Sequence, residues 1–135
     1  FEMDMDSIGD QAQFMRACGQ TVGERNEAQC EMYELLLTEE CSERAEAIEF
    51  ADAVEEFDAD LDILVVHIGR MLSRWHPNMI QAGWHEVMRS NMSKCVSDLE
   101  GNPVVIKRED GKVQKPDTYS PPDLASIMRR FGYDV

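Results

Sequence analysis

The chain has 135 residues, 43% of them apolar, and 27 Asp and Glu against 13 Lys and Arg, for a net charge of −14. That length supports one hydrophobic core without staples, and that apolar content excludes an intrinsically disordered chain despite the charge. The charge is uneven: residues 1–66 hold 19 acids and three bases (Arg16, Arg25, Arg44), whereas residues 67–135 hold eight acids and ten bases.

An acidic part able to collect cations therefore precedes a part able to meet an anion. The later bases are interleaved with Glu109, Asp110, Asp117 and Asp123, so no cationic strip is available for a nucleic-acid backbone. The longest apolar run, Ile63 to Gly69, falls far short of the roughly 20 residues that span a bilayer, which excludes a membrane helix. The opening Phe1–Asp6 is acidic and lacks a basic flank and an apolar signal core, which points to a cytoplasmic setting. Cys18, Cys30, Cys41 and Cys95 form no CxxC pair, so reduced, mostly buried thiols are expected rather than a zinc site or disulfides.

In chain order, a short helix is predicted over Ile8–Cys18, closed by Gly19, and a longer one over Glu27–Ala47 after a turn at Gly23 and Asn26. From Phe50 to Trp75 the apolar residues Val54, Phe57, Leu61, Leu64, Ile68 and Met71 recur at three-four spacing, which predicts a third helix with that row toward the core. His76-Pro77 ends it, and Asn78–Cys95 forms a fourth amphipathic segment. Asp110-Gly111 between two short β-prone runs predicts a hairpin within Val104–Lys115, and Ser120-Pro-Pro-Asp123 opens a final helix ending near Phe131. Three long helices predict an all-α bundle with a short C-terminal hairpin and tail. A single domain is expected over residues 1–135, with a helical core to residue 100.

Two sets of carboxylates stand at helical spacing. Glu40 and Glu43 are three apart; Glu55, Asp58 and Asp62 are three and four apart and span about 60° of one helix face. Extended along their helices, both rows become apolar, through Tyr33 and Leu36 on one and Val65, Gly69 and Leu72 on the other. The carboxylates thus fall on the arc that meets other helices, with Glu56, Asp60, His67 and Arg70 on the outer arc. Crowded, partly desolvated acids resist ionisation unless a cation joins them, and an all-oxygen set suits Mg²⁺ or Mn²⁺ better than zinc. Asp58-Ala-Asp60-Leu-Asp62 opens like a calcium loop, but Ile63 stands where that loop needs Gly and Gly69 where it needs Glu. His67, His76 and His85 lack ligand spacing, and the nine Met residues read as core filler.

Glu39-Glu40-Cys-Ser-Glu43 followed by Glu55-Glu-Phe-Asp58 and Asp62-Ile-Leu-Val-Val resembles the EExxE and ExxD signatures of the MazG-like all-α nucleoside triphosphate pyrophosphohydrolases. Asn91-Met-Ser-Lys94, and Asp110-Gly-Lys112-Val-Gln-Lys115 leading to Tyr119, resemble the bacteriophage and phosphoribosyl-ATP-pyrophosphohydrolase-like branch. The likeness covers roughly residues 14–124. Glu49-Phe-Ala-Asp52 is a second ExxD; Glu55 and Asp58 are preferred because the Asp62 apolar run then falls where the family has one.

The resemblance implies a helical bundle completed by assembly as a homodimer or homotetramer. Ile63 and Val66, which make the third helix apolar on nearly every side, fit that expectation. It implies a metal-dependent hydrolase that cleaves an NTP or dNTP to the monophosphate and pyrophosphate. Glu40, Glu43, Glu55 and Asp58 would hold Mg²⁺ or Mn²⁺, with Asp62 as an outer ligand and Glu39 as the base. Asn91, Lys94, Lys112, Lys115 and Tyr119 would contact the nucleotide, together with Arg89, Arg108 or Trp84. Among substrates, dGTP or GTP is favoured over dUTP, dCTP and phosphoribosyl-ATP. The competing expectation is a non-catalytic acidic protein that mimics nucleic acid or binds a basic partner.

Overall fold

The computed structural model describes residues 5–135; of the acidic opening stretch Phe1–Asp6, residues 1–4 lie outside them. The described residues are mainly helical, with α1 (Ser7–Ala17), α2 (Glu27–Glu49), α3 (Ala53–Leu72), α4 (Pro77–Met92) and α5 (Leu124–Arg130). Four two-residue strands, β1 (Val96–Ser97), β2 (Pro103–Val104), β3 (Ile106–Lys107) and β4 (Val113–Gln114), lie between α4 and α5. No helix of the described residues is long and apolar enough to cross a membrane. The chain forms two compact units, the first ending at Pro77 and the second running Asn78–Val135.

In the first unit every helix start is built by a side chain. Asp6 accepts from the Gly9 N–H at 3.0 Å, Asn26 from Gln29 at 3.1 Å and Asp52 from Glu55 at 3.1 Å, each satisfying a donor that the first helical turn leaves orphaned. The Asp52 cap corrects the expected third helix. The chain leaves α2 at Phe50, turns through Ala51 at φ 53°, and re-enters a helix only at Ala53. The apolar row hides this break because Phe50 and Val54 continue it on either side of the turn.

Helices α2 and α3 pack along their length and α1 lies against α3. Ala12, Met15, Tyr33, Ala47, Ala59, Val66, Ile68 and Leu72 are the buried apolar residues of this unit. Only the far end of the expected core row is covered: Ile68 is buried and Met71 half-buried, but Val54, Phe57, Leu61 and Leu64 are exposed, and the α1 residues Ser7, Asp10 and Gln11 lie beside the stretch from Leu61 to Ile68. The thiols also differ from expectation, with Cys18 and Cys41 exposed and Cys30 and Cys95 half-buried. The methionines are likewise mixed, since Met15 and Met79 are buried whereas Met5, Met32 and Met92 are exposed.

A buried polar network ties the α1–α2 connection down. Gln29 Nε2 donates to Ser73 Oγ at 2.7 Å and to the Thr21 carbonyl at 2.8 Å, while its Oε1 accepts from the Thr21 N–H at 3.1 Å. Tyr33 Oη donates to Gln20 Oε1 at 2.5 Å and accepts from Gln11 Nε2 at 3.4 Å. These bonds pair groups that would otherwise be costly to bury.

Pro77, the last residue of the first unit, opens α4, where its missing N–H costs nothing, and the rest of that helix belongs to the second unit. Two antiparallel hairpins follow. β3 and β4 pair Ile106 with Gln114 and Lys107 with Val113 around the predicted Asp110-Gly111 turn. β1 and β2 pair Val96 with Val104 and Ser97 with Pro103, a hairpin the sequence reading lacks; its turn is closed by Asp98, whose Oδ1 accepts from the Glu100 N–H at 2.9 Å and the Asn102 N–H at 2.8 Å. Asp123 caps α5 through the Ser126 N–H at 3.1 Å. Met79 and Ser90 on α4 and Ile127 on α5 are the buried residues of the second unit.

Candidate functional site

Helices α2 and α3 are antiparallel and two contacts fix their register. Gln29 bonds Ser73, and one turn further along α2 the Tyr33 ring lies against Gly69, one turn back along α3. Continuing by about two more turns on each helix brings Glu40 level with Asp62, and about one turn beyond that Glu43 level with Asp58. Four of the expected ligands therefore face one another across a single helix–helix seam.

Their electrostatics follow from that meeting. Glu40 is half-buried, and its Oε2 is shielded from solvent without a hydrogen-bond partner. Burial raises its carboxyl above the ordinary 4.5, and the charges of Asp62, Glu43 and Asp58 raise it further. Glu43, Asp58 and Asp62 are all acids, so each adds like charge that disfavours ionisation of Glu40. Asp62 is raised above 3.8 by burial first, then by Asp58 and Glu43. Nearby cations are spent elsewhere: Arg44 faces Asp60 at 3.9 Å and Arg70 faces Glu34 at 3.4 Å, so neither offsets the cluster.

Glu55 stands at the edge of this group. It lines a cleft of about 280 Å³ with Glu43, Glu46, Ala47, Phe50 and Asp52, at the corner where α2 passes into α3. Glu46 is an addition to the expected set, signalled by its three-residue spacing from Glu43, whereas Asp52 belongs to the alternative ExxD of the sequence analysis. Asp52 is engaged as the α3 cap, and Glu49 lies on the other side of the helix break, so this second ExxD does not present one helix face. Glu39 is exposed and is not among the charges that act on Glu40 or Asp62.

The expected nucleotide contacts all lie in the second unit. Lys94 Nζ donates to Asn91 Oδ1 at 3.1 Å near the end of α4. Lys112 is exposed on the β3–β4 hairpin, with its backbone N–H donating to Asp110 Oδ1 at 3.1 Å. Lys115 holds its ammonium 4.6 Å from the centre of the Tyr119 ring, a cation–π contact. Arg89 binds Glu86 at 2.6 and 2.9 Å and the Pro121 carbonyl at 3.1 Å, Arg108 pairs with Asp110 at 2.9 Å, and Trp84 is exposed.

Among the described residues no three His, Cys, Asp or Glu side chains are gathered closely enough to hold an ion as they stand. The donor chemistry nevertheless fits a hard divalent cation: oxygen ligands only, and one buried carboxylate oxygen with nothing to bond. Fold and site together define a mainly helical protein with an interhelical carboxylate cluster. No protein-family model matches the sequence, and no curated protein matches it.

Proposed function

We propose that the chain is a metal-dependent nucleoside triphosphate pyrophosphohydrolase of the MazG-like kind, which cleaves a (d)NTP to the monophosphate and pyrophosphate and works as a homo-oligomer. The observation that carries this reading is the Glu40 carboxylate, half-buried among Glu43, Asp58 and Asp62 with an orphaned oxygen. Evolution toward stability alone would replace such a group by an apolar or amide side chain, because burying like charges together is costly.

Glu40, Glu43, Asp58 and Asp62, with Glu55 at the rim, would hold Mg²⁺ or Mn²⁺. When bound, the metal neutralises phosphate charge and lowers the pKa of a bound water. Glu39, exposed next to Glu40 in sequence, is the proposed base that takes the water's proton. Lys94, Lys112 and Lys115 are the proposed phosphate contacts, each offering an ammonium to a non-bridging oxygen. Asn91 and Tyr119 are proposed for the nucleoside, and a guanine base is the first choice.

The test is a panel of canonical NTPs and dNTPs with Mg²⁺ or Mn²⁺, scored for monophosphate and pyrophosphate with wild type and Glu43→Ala. Release of pyrophosphate that falls about 100-fold or more in the variant supports the reading. Intact substrates throughout, or an unimpaired variant, sink it in favour of the acidic binder.

A further inference from the structure

The segment from Pro116 to Asp123 carries three of the chain's five prolines and forms no helix or strand, so its backbone groups find no partners in a ladder of their own. The second unit supplies them from α4. Glu86 Oε2 accepts from the Asp123 N–H at 2.7 Å, Arg89 Nη2 donates to the Pro121 carbonyl at 3.1 Å, and Ser93 Oγ accepts from the Ser120 N–H at 2.9 Å. At three- and four-residue spacing these side chains span about 60° of one face, which straps the segment along the helix. Ser93, just past the last turn, makes the most of these ties. Its single hydroxyl proton goes to the Ser90 carbonyl at 2.6 Å, with the Ser120 carbonyl at 3.3 Å, and its own carbonyl accepts from the Thr118 hydroxyl at 3.4 Å.

Thr118 and Ser120 bracket Tyr119, and Lys94 follows Ser93, so these bonds fix the backbone of Tyr119 beside that of Lys94. Each brings a companion: Lys94 Nζ donates to Asn91 Oδ1, and the Lys115 ammonium lies against the Tyr119 ring. Two ammonium groups, an amide and an aromatic ring, from stretches far apart in sequence, are thereby gathered at one place. That set matches a phosphate chain with a ring attached. We propose that Ser93 is a positioning residue for nucleotide binding: it touches no substrate, but holds Lys115 and Tyr119 beside Asn91 and Lys94 so that the four act as one site. The proposal rests on the pyrophosphohydrolase reading. Lys112, whose backbone N–H donates to Asp110 in its own hairpin turn, stands outside this arrangement.

The test uses the full chain, with amide exchange of Ser120 in the free protein and calorimetric binding of the α,β-methylene analogue of dGTP in Mn²⁺. Ser93→Ala should keep the helical circular dichroism, exchange the Ser120 amide about tenfold faster and bind the analogue about tenfold more weakly, the usual worth of one lost hydrogen bond. KM should rise more than kcat falls. In a double-mutant cycle, Tyr119→Ala should cost little once Ser93 is Ala, because the ring is already displaced, whereas Lys112→Ala should cost the same in both backgrounds. Ser93→Thr, which keeps a hydroxyl, should recover most of the affinity. Protection of the Ser120 amide in wild type, deepened by the analogue, carries the test if Ser93→Ala does not fold. Free exchange at Ser120, unchanged affinity in Ser93→Ala, no recovery in Ser93→Thr, or an equal cost of Tyr119→Ala in both backgrounds overturns the proposal. A wild type that binds no analogue and cleaves no nucleotide refutes the enzymatic reading and the proposal with it; a wild type that does both, with Ser93→Ala indistinguishable from it, refutes the proposal alone.

Discussion

The ring of Tyr33 fills the space that a side chain at position 69 would need: a Cβ added to Gly69 would lie 2.4 Å from Tyr33 Cε1 and 2.6 Å from Cζ. The phenol is held at its far end by Gln20 and Gln11, so the ring has little freedom to swing aside. This contact brings α2 close to α3 and, through the helix register, sets Glu40 level with Asp62. Gly69→Ala should therefore cost about 1–3 kcal/mol, the usual penalty for overpacking, and lower the melting temperature by several degrees. Adding Tyr33→Ala to that variant should cost less than the two single effects combined, since the clash is then gone. Thermal denaturation followed by circular dichroism decides it, and an unchanged Gly69→Ala midpoint would refute the close approach.

The raised carboxyls of Glu40 and Asp62 carry a sign. A folded-state pKa above the unfolded value means that the folded chain binds the proton more tightly, so the contribution favours folding below about 4 and is lost as pH rises through the raised values. In EDTA, Glu40→Gln should match wild type near pH 4 and melt higher at pH 7, by an amount on the order of 1 kcal/mol. Saturating Mn²⁺ should raise the wild-type midpoint at pH 7, by about 2.7 kcal/mol at a hundred times Kd, with less gain at pH 5 where protons compete. Glu40→Gln and Glu43→Ala should lose that gain. A wild type indifferent to Mn²⁺ would remove the physical basis of the metal centre.

Glu86 behaves in the opposite sense. Its carboxylate accepts from Arg89 and, at 2.7 Å, from the Asp123 N–H, and these bonds hold its pKa down to about 2. A depressed carboxyl stabilises the fold above its ordinary value of 4.5 and loses that contribution as pH falls toward 2. Carbon-13 titration of the Glu86 side chain should give a midpoint near 2, moving back toward the ordinary range in Arg89→Ala. A normal Glu86 midpoint in wild type would show that the clamp between α4 and the start of α5 does not persist in solution.

The lysines divide binding from chemistry. Lys94→Ala, Lys112→Ala and Lys115→Ala should each raise KM for the nucleotide about tenfold, equivalent to 1.4 kcal/mol, with a smaller change in kcat. Tyr119→Ala should share part of the Lys115 effect, because the ring supports that ammonium. Steady-state kinetics on the four variants test this, and an unchanged KM in all three lysine variants would exclude them from the phosphate site.

Much of the fold was legible locally. The caps at Asp6, Asn26, Asp52 and Asp123 lie where the helices begin, and the three-four spacing of the acids already put Glu40 with Glu43 and Asp58 with Asp62. The β1–β2 hairpin escaped because strands of two residues are too short to show any alternation, although Asp98, Gly101 and Asn102 carry turn chemistry. Asp52 followed three residues later by Glu55 carries the chemistry of a helix start, a signal not used in following the apolar row through Phe50 and Val54.

What the residues determined by themselves was whatever depends on near neighbours: helix identity and caps, the intervals between carboxylates, and the excess of acid in the first half. Which of those carboxylates lose water was decided only when α2 met α3. Glu40 and Asp62 became half-buried, whereas Glu43, Glu55 and Asp58 stayed exposed, because register is set by distant pairs such as Tyr33 with Gly69 and Gln29 with Ser73. The same holds for Val54 and Phe57: periodicity marks them as apolar positions, but whether such a face is core or surface depends on what the fold lays against it, and the α1 residues stand beside Leu61 to Ile68 instead.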